Sequence, residues 1–287
     1  MIRPALGLLL ALLAGAPGPA AERLTEQPAE RLTEQPAERL TEQPAERPTE
    51  RIVSLNLCTD QMLVLLAPEK VVGLTPLARD PAISFVAAQA ARLPVLRPSA
   101  ETVLAHAPDL VLAARYGAQT TLALLERSGV RVVRADLPDD FPGIRAETRR
   151  LAALLGVSAR GEALLAEMDA RLAAPPHRFL QDVGVPAPTA LIWGARGYAS
   201  GPGTLGDAVL RAAGYADIGR GGRLGLEALL AHRPDLLVVP DAPRFPSLAT
   251  DLLDHPATAG IPRRAVPPAL LICAGPFTAR AVQMLVR

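Results

Sequence analysis

Lysine occurs once in this 287-residue chain, at Lys70, although lysine and arginine together number 30. Against 29 acidic residues the formal net charge is +1, and no basic run or interleaving of basic and aromatic residues appears. That excludes the electrostatic footprint of a nucleic-acid-binding protein. Cysteine occurs only twice, at Cys58 and Cys273. Two cysteines exclude a disulfide-dense scaffold and allow at most one bridge. Also missing are a Gly-x-Ser-x-Gly elbow, a glycine-rich phosphate loop ending in Lys-Ser/Thr, and a cysteine pair at redox spacing, so catalysis has no footing and a non-enzymatic protein is expected. Gly201-Pro-Gly203 precedes a helix, but its proline removes one of the N–H donors an anion would need. Aromatic residues are 3% of the chain, which makes the positions of those few informative.

The longest apolar run, Ala5 to Ala16, is about 12 residues against the roughly 20 that a bilayer span requires. Arg3 precedes it and Gly18-Pro19-Ala20 follows with small residues, the pattern of a signal peptide over residues 1–20. No cysteine follows to carry a lipid, so an exported, soluble protein is expected. Residues 21–50 contain three copies of Glu-Arg-Leu-Thr-Glu-Gln-Pro-Ala and a degenerate fourth. Proline every eighth residue breaks a helix and nothing there builds a core, so a disordered low-complexity spacer is expected.

Beyond residue 50 one ten-residue pattern occurs twice, Glu101-Thr-Val-Leu-Ala-His-Ala-Pro-Asp-Leu110 and Glu227-Ala-Leu-Leu-Ala-His-Arg-Pro-Asp-Leu236, with seven positions identical. Each copy reads as a short amphipathic helix that stops before a proline and runs into an apolar strand. Short β-branched runs at Ile52–Leu55, Val71–Leu74, Leu110–Ala113 and Val130–Val133 alternate with helical stretches, and the second half repeats this with runs at Ala190–Trp193, Leu236–Val239 and Ala269–Ile272. The expected fold class is α/β: two Rossmann-like lobes with central parallel sheets, residues 51–143 and 177–287. Residues 144–176 are helical almost throughout, interrupted near Gly156-Val-Ser158, and read as a linker containing one long interdomain helix. A helical linker is stiff, so large lobe closure is not expected.

Five segments together, Arg51-Ile-Val-Ser-Leu-Asn-Leu-Cys-Thr-Asp60, the two Glu-x-x-Leu-Ala-His-x-Pro-Asp-Leu segments, Gly201-Pro-Gly-Thr-Leu205 and Leu271-Ile-Cys-Ala-Gly-Pro276, resemble in order and spacing the class III periplasmic solute-binding proteins of ABC importers. The likeness covers essentially all of 51–287. It implies a monomeric carrier of a metal chelate, a ferric siderophore or cobalamin, with haem as a further alternative, and an ABC transporter permease as partner. It also implies that a glutamate on each lobe docks into permease arginines, and the matching positions are Glu101 and Glu227. A carboxylate in a first helical turn is also favoured by the helix dipole alone. A sensor that presents the same chelate to a signalling partner is the reading from another class.

Ligands of α/β sheets sit beyond the carboxyl ends of the strands. The residues there are Asn56 to Asp60, Leu77 to Asp80, Arg115-Tyr116, Trp193 to Tyr198 and Leu271 to Cys273. From these, Asn56, Arg79, Arg115, Tyr116, Trp193, Arg196 and Tyr198 are the ligand candidates, aromatics for stacking and arginines for charge-assisted bonds. His106 and His232 fall at the amino ends of strands, opposite the cleft, and are expected to cap or face solvent. His177 and His255 stand beside prolines with no partner at ligand spacing. No protein-bound metal or cofactor is expected. Cys58 and Cys273 each follow a strand at the cleft end, one per lobe; they are either bridged across the cleft or two unpaired buried thiols.

Overall fold

A computed structural model describes residues 49–173, 186–241, 253 and 255–286. The expected leader, the octapeptide repeats up to residue 48 and His177 lie outside the described residues. The N-terminal sheet is built from β1 (Ile52–Ser54), β2 (Val71–Gly73), β3 (Leu110–Ala114) and β4 (Val132–Ala135) in the order β2-β1-β3-β4. Every pairing is parallel. The helices between them are α1 (Leu57–Leu66), α2 (Ala87–Ala90), α3 (Ala100–Ala105) and α4 (Gln119–Arg127). β3 is buried along its whole length, which is why it reads as a continuous apolar run rather than an alternating one.

The C-terminal sheet has β5 (Thr189–Ile192), β7 (Ala216–Asp217), β9 (Leu236–Pro240) and β10 (Arg263–Val266) in the order β10-β9-β5-β7, again all parallel. Beyond the end of β5 lies an antiparallel ribbon of β6 (Tyr198–Ala199) and β8 (Gly222–Arg223). Helices α7 (Leu205–Ala212), α8 (Leu226–His232) and α9 (Ala279–Val286) complete this half. The expected strand over Ala269–Ile272 is absent. Pro267 and Pro268 turn that segment into a 3-10 turn, Pro268–Leu270, and the edge strand is instead Arg263–Val266.

The linker is helical, but it is not one continuous helix. It is an antiparallel hairpin of α5 (Phe141–Leu154) and α6 (Ser158–Leu172). Gly156, at φ +69°, makes the turn, with its N–H donating to Ala153 O and Val157 N–H to Ala152 O. Arg145–Asp169 and Arg149–Glu162 pair across the hairpin. Gly161 packs so tightly on α5 that a Cβ there would stand 2.5 Å from the Ala152 Cβ. The apolar seam of the molecule runs through this hairpin, where Leu57, Ile144, Leu165 and Met168 share one buried cluster with Val266, Phe277 and Leu285.

The repeated decapeptide has a specific structural job. In both copies the residue before proline, Ala107 (φ +42°) and Arg233 (φ +35°), adopts the left-handed conformation that ends the helix. The following aspartate then fixes the start of the neighbouring strand. Asp109 Oδ2 accepts from the backbone N–H of Glu50 and Arg51, and Asp235 Oδ2 accepts from the N–H and hydroxyl of Thr189. The Thr189 backbone bond, then its hydroxyl bond, holds the Asp235 carboxyl below its usual range.

Asn56 caps α1, its Oδ1 accepting from Cys58 N–H at 2.8 Å. One turn further on, Asp60 is completely buried and accepts from the hydroxyl and N–H of Thr75. Burial raises its pKa from 3.8 to about 7 against the opposing bonds from Ser54 and Thr75. The folded state therefore holds a proton that the unfolded chain releases near pH 4. The associated stability is complete below that pH and is lost as pH rises to about 7. Between pH 5 and 8 wild type is expected to lose about 3 kcal/mol relative to Asp60→Asn. Urea unfolding of both proteins at the two pH values measures this, and parallel pH dependence would contradict it.

Candidate functional site

The carboxyl ends of both sheets border one interlobe region. Cys58, just past β1, is disulfide-bonded to Cys273, which follows the turn after β10, with a Cα separation of 5.2 Å. The bond ties the two lobes together past the carboxyl ends of β1 and β10. The β4–α5 loop (Asp139, Asp140, Phe141) and the first part of α7 with the residues before it (Gly203, Thr204, Asp207, Arg211) line a cavity of about 500 Å3. Both walls of that cavity begin helices: Asp140 accepts from Gly143 N–H and Thr204 from Asp207 N–H.

Large apolar side chains left exposed are uncommon on a folded protein, so their placement is informative. Leu77 follows β2, Tyr116 follows β3, Leu137 follows β4, Tyr198 follows β5 and Ile272 lies past β10, all of them exposed. Tyr116 is 75% and Tyr198 58% exposed. Five residues from both lobes thus present apolar surface at the carboxyl ends of their strands. Only Leu104, Leu124 and Leu230, on α3, α4 and α8, are comparably exposed among the described residues. An apolar-walled cleft of this kind suits a ligand with a broad face.

The seven sequence-derived ligand candidates divide. Tyr116, Arg196 and Tyr198 stand exposed at the cleft ends of their strands. Trp193 must be corrected: it is fully buried with Leu191, Leu229 and Leu237, and its Nε1 donates to Leu224 O at 3.1 Å. The β6–β8 ribbon folds back over its ring and seals it into the core. Asn56 is occupied as the α1 cap. Arg79 spends its guanidinium on the carbonyls of Ala90 (3.2 Å) and Leu93 (2.6 Å). Arg115 is paired with Asp136 at the end of β4, and that hydrogen-bonded carboxylate holds its guanidinium above the usual range. Arg79 and Arg115 are therefore both occupied, and the exposed Asp80, Asp139 and Asp140 also lie past the strand ends of this lobe.

The remaining candidates are also placed. Glu101 and Glu227 are exposed in the first turns of α3 and α8. Helices that return between parallel strands begin near the carboxyl ends of those strands, so both glutamates lie at the cleft level of their lobes. His106 caps the far end of α3, with Nδ1 at 2.8 Å from Thr102 O, and His232 ends α8. His255 Nδ1 accepts from Ala257 N–H in a 3-10 turn. Among the described residues no three His, Cys, Asp or Glu side chains are grouped to hold a metal ion.

Leu137, Arg220 and Arg223 are exposed without any sequence pattern that marks them, while Leu77 and Ile272 lie within the segments that follow strand ends. The ribbon that carries Arg223 is anchored from below. Ser200 Oγ and Gly219 N–H donate to Asp217 Oδ1 at 3.1 and 2.8 Å, and burial holds the Asp217 carboxyl above its usual range against them. Gly201 passes so close to the returning strand that a Cβ would lie 2.1 Å from Gly221 N.

Two parallel-sheet lobes, a helical hairpin behind them and a cleft at the strand ends define a two-lobed binding protein. The model of the periplasmic binding protein family matches residues 52–265, and the chain belongs to that family. A solved periplasmic haem-binding protein from Pseudomonas aeruginosa is 28% identical with TM-score 0.66, covering 83% of this chain and 91% of that one. The apo periplasmic haem-binding protein of Roseiflexus sp. RS-1 is 28% identical with TM-score 0.65, covering 83% and 97%. A cobalamin-binding protein of Halobacterium salinarum is 29% identical over 166 residues, 55% of this chain. The match spans only 43% of the length of that relative. No helix among the described residues is long and apolar enough to cross a membrane.

Proposed function

We propose that this protein is the periplasmic substrate-binding component of an ABC importer, capturing a metal chelate in the interlobe cleft and delivering it to the membrane permease. The observation that carries this reading is the set of exposed apolar side chains at the strand ends of both lobes, on a chain of the periplasmic binding protein family. Haem- and cobalamin-binding relatives support the same chemistry, since both ligands offer a broad macrocyclic face. Residues 1–20 act as the cleaved signal, 21–50 as a spacer, and 51–143 and 177–287 as the lobes joined by 144–176. The carrier is a non-enzymatic monomer with no cofactor of its own.

Tyr116 and Tyr198 take the ligand faces from opposite lobes. Truncating a large aromatic anchor that a ligand covers costs about 2 kcal/mol, or roughly 30-fold in affinity. Tyr116→Ala and Tyr198→Ala are each expected to weaken chelate binding by that order without changing thermal stability. The check is absorbance titration of both variants with haemin, cyanocobalamin and a ferric siderophore. Undiminished affinity in both would move the ligand out of this cleft.

A further inference from the structure

We propose that a second ligand site lies where the β2–α2 loop meets α6 and α9, and that it takes an aliphatic monocarboxylate. Two cavities of about 210 and 480 Å3 lie there and share Phe85, Arg171 and Arg280 in their walls. The larger falls within the range of roughly 300–1,000 Å3 usual for small-molecule sites. None of the exposed strand-end side chains Leu77, Tyr116, Leu137, Tyr198 and Ile272 lines either cavity. The site is therefore separate from the cleft assigned to the cargo and does not rest on the carrier reading.

Ser84 lines the larger cavity at 4% exposure, and its Oγ has no hydrogen-bond partner among the described residues. A buried hydroxyl left unpaired is costly, and a polar atom brought by a ligand removes that cost. Next to it Gln61 Oε1 accepts from Phe85 N–H at 2.7 Å, while the buried Gln61 Nε2 is likewise without a partner. This bond fixes Phe85, whose ring stacks on Phe277 and lies under the Arg280 guanidinium, each at 4.7 Å. With the rings engaged, the apolar lining left over is aliphatic: Ala269, Leu270 and Met284 in the larger cavity, Leu65 and Leu164 in the smaller. That lining suits a flexible chain better than a flat ring.

The charge of the lining selects the head group. Arg171 and Arg280 share Glu167, at 2.6 and 3.7 Å, and Arg171 also donates to Gln283 Oε1 at 2.7 Å. Glu167 is the one carboxylate among the described residues that line either cavity, so two guanidiniums are left with one positive charge between them. A single carboxylate balances it, and a forked guanidinium in a partly enclosed space is well matched to that group. A ligand there contacts the N-terminal lobe at Ser84, the linker at Arg171 and the C-terminal lobe at Leu270, so its binding stabilises the junction of all three.

Octanoate, octanol and octylammonium carry one chain on three head groups and serve as the probes. Calorimetric titration of the full exported chain, below the concentrations at which the probes aggregate, should show saturable one-to-one binding of octanoate and a raised melting temperature. Octanol should bind roughly 10-fold more weakly or worse, the scale of one charge-assisted hydrogen bond, and octylammonium should not saturate. Arg280→Gln should remove most of the preference for octanoate over octanol. Met284→Trp fills the larger cavity and should weaken both roughly 10-fold while haemin binding is unchanged. The wild-type selectivity needs no variant, so the test stays decisive even if a substitution fails to fold. Absence of saturable octanoate binding, equal affinity for the three probes, or binding undiminished in a folded Met284→Trp protein overturns the site. Displacement of octanoate by saturating haemin also overturns it, by placing the probe in the cargo cleft. Octanoate binding by a protein that takes up no chelate would uphold this site while the carrier reading failed.

Discussion

Charge reversal at both Glu101 and Glu227 is expected to reduce import of the cargo by at least 100-fold while leaving its binding to the purified protein intact. The two side chains occupy equivalent first-turn positions on α3 and α8, one per lobe, exposed and without an ion-pair partner among the described residues. Neither is needed to cap its helix, because Ser99 accepts from Thr102 N–H at the start of α3 and Gly225 starts α8. A pair of separated carboxylates fixes both attraction and orientation against a permease, and replacing each with lysine turns attraction into repulsion. Loss at a pair of close charge contacts runs to several kcal/mol, which sets the 100-fold scale. Reversal at one site alone should leave measurable uptake. The readout is transport of labelled cargo into cells, with tryptophan fluorescence titration of the same variants as control. Normal uptake by the double variant would remove the docking role.

Removing the interlobe disulfide is the second large effect. Cys58 and Cys273 are 215 residues apart in sequence, so the bond closes most of the folded chain into one loop. Chain-entropy arguments put the resulting stabilisation at about 5 kcal/mol for a loop of that length, with strain and residual denatured structure reducing it. Cys58→Ser/Cys273→Ser should unfold at a distinctly lower denaturant concentration, and reduction of wild type should reproduce the shift. Thiol titration of the denatured, unreduced protein should find no free thiol. Two free thiols, or identical midpoints for variant and wild type, would contradict the bridge.

Much of the architecture was legible because it depends on local pattern. The repeated decapeptide marked two helix–strand units, since proline and the left-handed residue before it stop a helix whatever surrounds them. The helices over Leu205–Ala212 and Leu226–His232 follow directly from their amphipathic spacing. Long-range contacts defeated the reading elsewhere. Trp193 sits just past β5, where a side chain turns outward or inward according to what returns over it, and the covering strand arrives from Gly222–Arg223 about thirty residues later. That two-residue strand has no periodicity to detect, so Arg223 escaped notice with it. Arg263–Val266 is exposed along most of its length and lacks an alternating apolar face, whereas Ala269–Ile272 looks like a strand until two prolines are taken into account. Arg79 and Arg115 show a related limit: sequence gives the position of a guanidinium but not the carbonyl or carboxylate that occupies it.

The most direct test of the central claim is titration of the purified, repeat-free 51–287 fold and of the full exported chain with haemin, cyanocobalamin and a ferric siderophore, followed by chelate absorbance and Trp193 emission. Trp193 is buried beneath the ribbon, so its quenching would report energy transfer to a chelate in the cleft rather than contact. We predict saturable one-to-one binding of at least one of these chelates by both proteins, weakened at least 10-fold by Tyr116→Ala. Absence of saturable binding by all three would contradict the account.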